Sequence, residues 1–429
     1  MTIERSFVSL RMTSKEVIKI SYMKNAIFRY LILTTVFLVP FYFLRFQILG
    51  IPTNVFEVAV LASATSIAFK RPYRSIGWWP WLLSGTALLT AIFSPDPRVA
   101  LGIFKGWFFI PTLFAWAIVQ IFNAHNTNRL RFPLLASASI VSVWAILQKV
   151  GVVTALFYQA GDASFGAYLS EGRAFGPFES PNYLAMYLVP VFFIVLPLAW
   201  SKVKLWKKIL GSICIVLILL AVFSSASRGG GVAFGTGLIV YLLAIGLKKY
   251  RSYNLKYLAA AALTLIIALN ISYYILAARL QSPAGGDAIR QEILDYSLKL
   301  TRQNPLAGVG LGNFQEAIRQ ISIGHASFQT YALPFALHPH NLLLALWLNL
   351  GLAGLVVFLA VVYRILKNLA GHPDAATLAA ALTAILVHGL FDTTYFKNDL
   401  SAVFWLIFAI ILISSQYDSK KSQNHTSGV

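Results

Sequence analysis

Apolar runs of about twenty residues recur from one end of this chain to the other, and no other feature limits its fold so tightly. A helix rises about 1.5 Å per residue, so such a run matches the roughly 30 Å hydrocarbon core of a bilayer. Only 12% of the 429 residues are charged and 58% are hydrophobic, with a mean hydropathy of +0.70. The runs are continuous rather than alternating. That predicts helices and excludes a transmembrane barrel, whose strands alternate apolar and polar. The chain reads as an all-α polytopic membrane protein, a single integral membrane domain over 1–429.

About twelve spans are expected, at 30–49, 54–70, 78–94, 101–122, 132–150, 182–200, 208–226, 230–247, 257–277, 341–363, 376–392 and 401–416. With the N-terminus in the cytoplasm, the loops near 70–77, 123–131, 201–207, 248–256 and 364–375 and the tail 417–429 share its side. Together with the basic N-terminal stretch 1–29 they hold most of the 35 Lys and Arg residues, as the positive-inside rule requires. The net charge of +20 is thus explained by topology, with no nucleic acid partner. Residues 1–29 carry no apolar run long enough for a signal peptide, so no cleavage is expected. Phe7, Leu10, Val17, Ile18 and Ile20 fit either one face of a basic interfacial helix or a solvated tail. The single cysteine, Cys214, lies in an apolar run, which leaves neither a disulfide nor a cysteine zinc site.

Two outer loops are long, 151–181 and 278–340. The middles of the spans hold almost no ionisable side chains, with Glu57 and Lys105 near outer ends. A transporter or proton path places charges at membrane depth, so the polar chemistry is expected at the outer face instead. In the second loop, Ile289, Ile293, Tyr296 and Leu300 recur at helical spacing behind Asp287, a plausible N-cap, and Asn304-Pro305 stops that helix. Arg290 and Leu294 share one of its faces. Gly308-Val-Gly310-Leu-Gly312 follows no strand, which disfavours a phosphate-binding loop and leaves a flexible turn. Leu337-His338-Pro339-His340-Asn341 then opens a long apolar run, and Pro339 suits a helix start. At a helix amino end His340 is expected to stay neutral and able to take a proton. His338 and His340 also fit interfacial residues, or a His-x-His metal site for which no nearby carboxylate or cysteine supplies the remaining ligands. Arg228, in Ser227-Arg228-Gly229-Gly230-Gly231, sits in a short outer connection where small residues let a headgroup approach. Arg173 lies in the other long loop, before Ser180-Pro181-Asn182. Lipid-headgroup contact or snorkelling is the alternative reading for both arginines, and for Arg173 it stays open. His388 and Asp392, four apart at an outer span end, are expected to face one another in a supporting role.

Taken together these residues resemble a family. Arg290-x3-Leu294 and His340-Asn341-x9-Gly351-x2-Gly354 are similar to the two motifs of bacterial O-antigen ligases (WaaL type), in a superfamily with O-antigen polymerases and protein O-oligosaccharyltransferases. The likeness extends over roughly 170–395, through Ser227-Arg228-Gly229, the run Asn304 to Phe314 and His388-Gly-Leu-Phe-Asp392. Asn349 departs from it, since many relatives carry an acidic residue there. The resemblance implies about twelve membrane helices, a fold like membrane-type (GT-C) glycosyltransferases, and a periplasmic active site in the bacterial inner membrane with both termini cytoplasmic. It implies metal-independent, inverting transfer of a glycan from undecaprenyl diphosphate to the lipid A–core oligosaccharide in lipopolysaccharide biosynthesis, with no cofactor.

Such chemistry suits the residues. A lipid diphosphate leaving group needs cations, and arginines hold phosphate by bidentate contacts. Arg228 and Arg290 are assigned to the diphosphate, His340 to general base on the acceptor hydroxyl, and Arg173, His338 and Asn341 to substrate binding. Within the superfamily, a polymerase would use a second lipid-linked glycan as acceptor. A protein O-oligosaccharyltransferase often carries a further soluble region, whereas the last expected span here is followed by a short polar tail. A lipid-linked glycan transporter would need the arginines but not His340.

Overall fold

The structure, a computed structural model, describes residues 14–68, 73–154, 171–200, 204–249, 286–323, 336–369 and 372–426. Helices dominate and follow the apolar runs. In the first half they are α1 (Ser14–Leu38), α2 (Val55–Ile67), α3 (Trp79–Ile92), α4 (Pro97–Ile121), α5 (Arg131–Lys149), α6 (Pro181–Val195), α7 (Leu205–Ser224) and α8 (Arg228–Lys249). There follow α9 (Gly286–Gln303), α10 (Phe314–Ser322), α11 (Leu342–Leu369), α12 (Ala375–His388) and α13 (Asn398–Thr426). Among the described residues, seven stretches are long and apolar enough to cross a membrane: Pro97–Ile121, Thr127–Lys149, Pro181–Trp200, Leu205–Ser224, Arg228–Gly246, Leu342–Leu369 and Asn398–Gln416. Ala26–Phe41, Val55–Ile67, Trp79–Ile92 and Ala375–His388 are apolar but shorter. The chain is therefore a mostly helical, multi-pass membrane protein. The expected span at 257–277 lies outside the described residues, as do Phe7, Leu10 and parts of both long outer loops.

Two boundaries differ from expectation. The apolar run read as a span over 30–49 does not stay helical: after a 3-10 turn at Val39–Phe41 it becomes an antiparallel hairpin, β1 (Arg45–Ile48) with β2 (Ile51–Asn54). Leu49-Gly50 at its tip both take positive φ, the conformation of tight two-residue hairpin turns. The span read as 376–392 ends at His388, and Gly389 to Lys397 form a run of turns instead. That displacement puts Asp392 in a loop, free to point sideways.

Glycines set the tightest contacts. A Cβ on Gly237 would lie 2.6 Å from Phe193, and one on Gly230 2.6 Å from Ala185, so α8 packs closely on α6. α12 lies against both helices, and α13 against α4. A second, smaller apolar cluster joins Ile293, Tyr296, Leu300, Phe314, Ile318 and Leu348, docking α9 and α10 onto α11. The helical spacing read for α9 and its stop before Asn304-Pro305 both hold.

α11 is broken within its length. Gly351 has φ 69° and ψ 179°, far from helical values. The break exposes backbone groups that a continuous helix would pair, and the run Leu306 to Val309 satisfies them. Val309 N–H donates to Leu348 O at 2.7 Å and Leu352 N–H donates to Leu306 O at 2.9 Å. A Cβ on Gly351 would meet Leu306 O at 2.4 Å, and one on Gly308 would meet Leu348 O at 2.4 Å. Gly308, Gly310 and Gly312 all have positive φ, and Gly312 N–H donates to the Asn349 side chain at 2.9 Å. The glycine-rich segment is thus a fitted wedge rather than a loose turn, and its backbone donors serve the protein.

Candidate active site

The site is built where the amino end of α11 meets the turn after α12. Asn341 caps α11: its Oδ1 accepts from Leu344 N–H at 3.0 Å, while its Nδ2 donates to Leu390 O at 3.2 Å. Leu342 N–H donates to Gly389 O at 2.6 Å, and a Cβ on Gly389 would crowd Leu342. Both polar ends of Asn341 are therefore engaged in holding the two segments together, and its structural part is to place its neighbour. That neighbour, His340, takes φ +48°, a left-handed conformation that costs a non-glycine residue roughly 1–3 kcal/mol and persists only where the surroundings impose it.

Asp392 is the hub. His340 Nδ1 lies 3.3 Å from Asp392 Oδ1, which also accepts from Thr393 N–H at 3.0 Å. Asp392 Oδ2 accepts from Asn182 Nδ2 at 3.3 Å, and Asn182 Oδ1 accepts from the Ser227 hydroxyl at 2.9 Å. Ser227 Oγ in turn accepts from Gly230 N–H, capping α8. Burial pushes the Asp392 carboxyl up. The hydrogen bond from His340, with the nearby Arg290 charge, outweighs it and holds the group well below the usual carboxylate range. An ionised carboxylate only accepts, so the His340 hydrogen sits on Nδ1 and Nε2 is left as the nitrogen with a lone pair.

His338 shares the carboxylate. Its ring lies 4.5 Å from that of His340, edge to face. Its Nε2 is hydrogen-bonded to the Tyr183 hydroxyl at 2.9 Å, and its buried Nδ1 faces Asp392 Oδ1 at 3.8 Å, beyond hydrogen-bond length. Burial, followed by the neighbouring His340, pushes His338 down to about 3, so this imidazole is neutral at physiological pH. The His338, His340 and Asp392 donor atoms lie within 4.8 Å of one another, spacing that suits one divalent ion. Expecting no carboxylate beside the two histidines was wrong, because Asp392 is separated from them in sequence by all of α11 and α12.

The arginines fall at different depths of this arrangement. Arg290, half-buried on α9, is close enough to bias Asp392, His338 and His388 electrostatically. Arg228 is exposed at the head of α8, one residue past the Ser227 that joins the Asn182–Asp392 chain. Arg173 Nε donates to Ser225 O at 3.3 Å, its Nη1 lies 3.7 Å from Glu171, and Ala174 N–H donates to Ser224 O, so it is fastened to the turn between α7 and α8. The glycines after Arg228 are not open to a headgroup as expected: Gly229 faces the His388 ring and Gly230 faces Ala185, whereas Gly231 alone is unobstructed. His388 and Asp392 share no side-chain hydrogen bond. His388 packs on α8, while Asp392 turns to His340.

A further cation was missed from the sequence. Lys397 Nζ pairs with Glu179 at 2.8 Å and lies 4.7 Å over the Tyr183 ring. Glu179 also accepts from Tyr42 at 2.8 Å and from Arg45 at 3.3 Å. Burial pushes Glu179 up, but Lys397, Tyr42 and Arg45 together hold it below its ordinary value. Asn182, Tyr183 and Lys397 are single polar residues beside apolar runs, and only their positions at run ends hinted at a role.

Comparison with known proteins agrees with the resemblance drawn from the motifs. Residues 213–359 match a family model described as O-antigen ligase, a stretch that contains Arg228, Arg290, His340 and Gly351. A provisionally named polysaccharide ligase of Rickettsia conorii is 25% identical over 374 residues, covering 80% of this chain and 86% of that protein. A second, from Rickettsia typhi, is 24% identical over 356 residues with the same coverage.

Proposed function

We propose that this membrane protein, similar to O-antigen and polysaccharide ligases, is an inverting glycosyltransferase acting at the periplasmic face of the bacterial inner membrane. Its donor is a glycan on undecaprenyl diphosphate and its acceptor a hydroxyl of the lipid A–core oligosaccharide. The full topology proposed with it has about twelve spans with cytoplasmic termini. The observation that carries the mechanism is the His340 Nδ1 contact with buried Asp392, because it fixes the imidazole tautomer and leaves Nε2 to receive a proton.

Arg290 and Arg228 hold the diphosphate and stabilise the charge that grows as the sugar–phosphate bond breaks. The acceptor hydroxyl gives its proton to His340 Nε2 as its oxygen attacks the anomeric carbon from the face opposite the diphosphate. Undecaprenyl diphosphate leaves and the configuration inverts. Asp392 stabilises the imidazolium until its proton passes to water. His338 acts on the same carboxylate: a hydrogen on Nδ1 turned toward Asp392 leaves its Nε2 to accept from Tyr183, so both imidazoles orient one charge. Arginines take the place of a metal in this scheme. Since the His338, His340 and Asp392 donors suit an ion, that part needs its own test.

The deciding assay reconstitutes the protein in lipid with lipid A–core and a second lipid-linked glycan, then sizes the products. A single capped product supports the ligase. A ladder of lengths means a polymerase. Turnover should survive EDTA and vanish in His340→Ala; loss in EDTA restored by a divalent ion would replace the arginine scheme with a metal one.

A further inference from the structure

The hairpin β1–β2 has an apolar face that the described protein leaves exposed over about half its area. Its register pairs Phe46 with Thr53 and Ile48 with Ile51, and on the opposite face Arg45 with Asn54 and Gln47 with Pro52. Directly opposed residues share a face and successive ones alternate, so Phe46, Ile48 and Ile51 form one surface with Thr53 at its base, and Arg45, Gln47, Pro52 and Asn54 form the other. The three apolar residues are all exposed, and Leu49 at the tip is 97% exposed. Leu49 has φ +51°, a conformation that water-facing turns give to Asn, Asp or Gly. A bare leucine held there, on a two-stranded hairpin too small to be stable alone in water, requires an apolar surrounding.

The base of the hairpin is tied down. Arg45 pairs with Glu179, Asn54 caps α2 through Glu57 N–H at 3.0 Å, and the Lys105 ammonium donates to Pro52 O. Lys105 also pairs at 2.7 Å with Glu57, which accepts from Thr53 and from Asn398 at the head of α13. From Arg45 the contacts run through Glu179, Lys397 and Tyr183 to His338. The hairpin is therefore a rigid projection from the same side of the protein as the imidazole pair.

We infer that this apolar face inserts into the hydrocarbon of the membrane leaflet on the site's side, and that it sets the height of the imidazoles above that boundary. Acyl chains are the occupant because the hairpin directly joins two apolar helices of a multi-pass protein, and because its polar contacts gather at the strand ends away from the tip, while Phe46, Ile48, Leu49 and Ile51 stay exposed. The insertion holds whether or not His340 is the catalytic base.

The single native cysteine makes the test direct. In a Cys214→Ser background, nitroxide labels are placed separately at Leu49→Cys and Gln47→Cys in the full chain, reconstituted in phospholipid vesicles. Accessibility is read against oxygen, which concentrates in hydrocarbon, and against a polar nickel chelate, which does not. The ratio of oxygen to nickel access should be several-fold higher at 49 than at 47. Equal ratios, or greater nickel access at 49, would mean a water-exposed tip and overturn the inference. Dipolar broadening at 49 that disappears on dilution with unlabelled protein would assign the face to a second copy and overturn it too. If Leu49→Cys lowers thermal stability, Ile51→Cys on the same face is compared with Gln47→Cys in its place.

Discussion

Replacing Asp392 by asparagine removes one charge and keeps the shape, so it measures what the carboxylate does for His340. In the ground state Nδ1–H still finds an amide oxygen. In the proposed transfer the ring becomes an imidazolium, and in the asparagine variant the attraction across 3.3 Å is lost. Two unit charges at that distance interact by about 5 kcal/mol at an effective dielectric of about 20, which is a ceiling. Exchanging a charge-assisted hydrogen bond for a neutral one gives a floor of about 1–1.5 kcal/mol. Asp392→Asn is therefore expected to slow transfer by about 10-fold to 10³-fold. The measurement is the single-turnover rate with saturating lipid-linked donor in vesicles, together with donor affinity, which should change little because the arginines are untouched. Combining Asp392→Asn with His340→Ala should cost no more than His340→Ala alone, since the carboxylate acts through the ring. A variant within three-fold of wild type, while His340→Ala is inactive, would separate Asp392 from the base and refute the coupling.

Three further outcomes are expected. His338 is neutral when folded, with its pKa near 3, and in an unfolded chain it binds a proton near pH 6.5. The unfolded state then holds more protons between those values, so stability falls as pH drops from about 6.5 toward 3. His338→Gln should flatten that fall in a thermal-shift series, and an unchanged slope would argue against a buried neutral ring. Glu179 has a depressed pKa, so its stabilisation is present above the ordinary carboxylate range and lost as pH falls through the folded value. Glu179→Gln leaves Lys397 and Arg45 without their carboxylate and should cost about 2–3 kcal/mol in a denaturation assay at pH 7, less than a fully buried pair would. Gly351→Ala places a Cβ against Leu306 O in a positive-φ backbone and should cost more than about 3 kcal/mol or prevent accumulation of folded protein, whereas Gly235→Ala, with open space around it, should be tolerated.

Much of this molecule was legible from local pattern. Apolar runs gave the helices, the spacing of Ile293, Tyr296 and Leu300 gave α9, and His340 and Arg290 were singled out by residue type and place as the candidates the proposed function uses. Contacts made across great sequence separation were not legible. Asp392 was seen beside His388, four residues away, because helical spacing invites that pairing; the helix ends at His388, and the turn swings the carboxylate to a residue 52 positions earlier. Asn182 and Tyr183 reach the site only because α6 is buried beside α12. The first strand of the hairpin was hidden inside a run that hydropathy reads as one span, and the second fell largely in the short connection at 50–53, where Gly50 and Pro52 are residues that break helices. The glycine-rich run was read as loose since its partner, the break at Gly351, is visible only once both segments are together.

That break has a consequence for how anchoring and aiming divide between residues. Unbroken, the 28 residues of α11 would measure about 42 Å, well beyond a hydrocarbon layer of roughly 30 Å. The part after Gly351 is by itself about 27 Å long, close to what a crossing needs. The short piece before it is released from that duty. It works as a bracket whose tilt is set by the wedge at Leu306–Val309, and it carries His340 at its free end. Lengthening the far piece would change how firmly the helix is moored, while altering the wedge would change where the imidazole points.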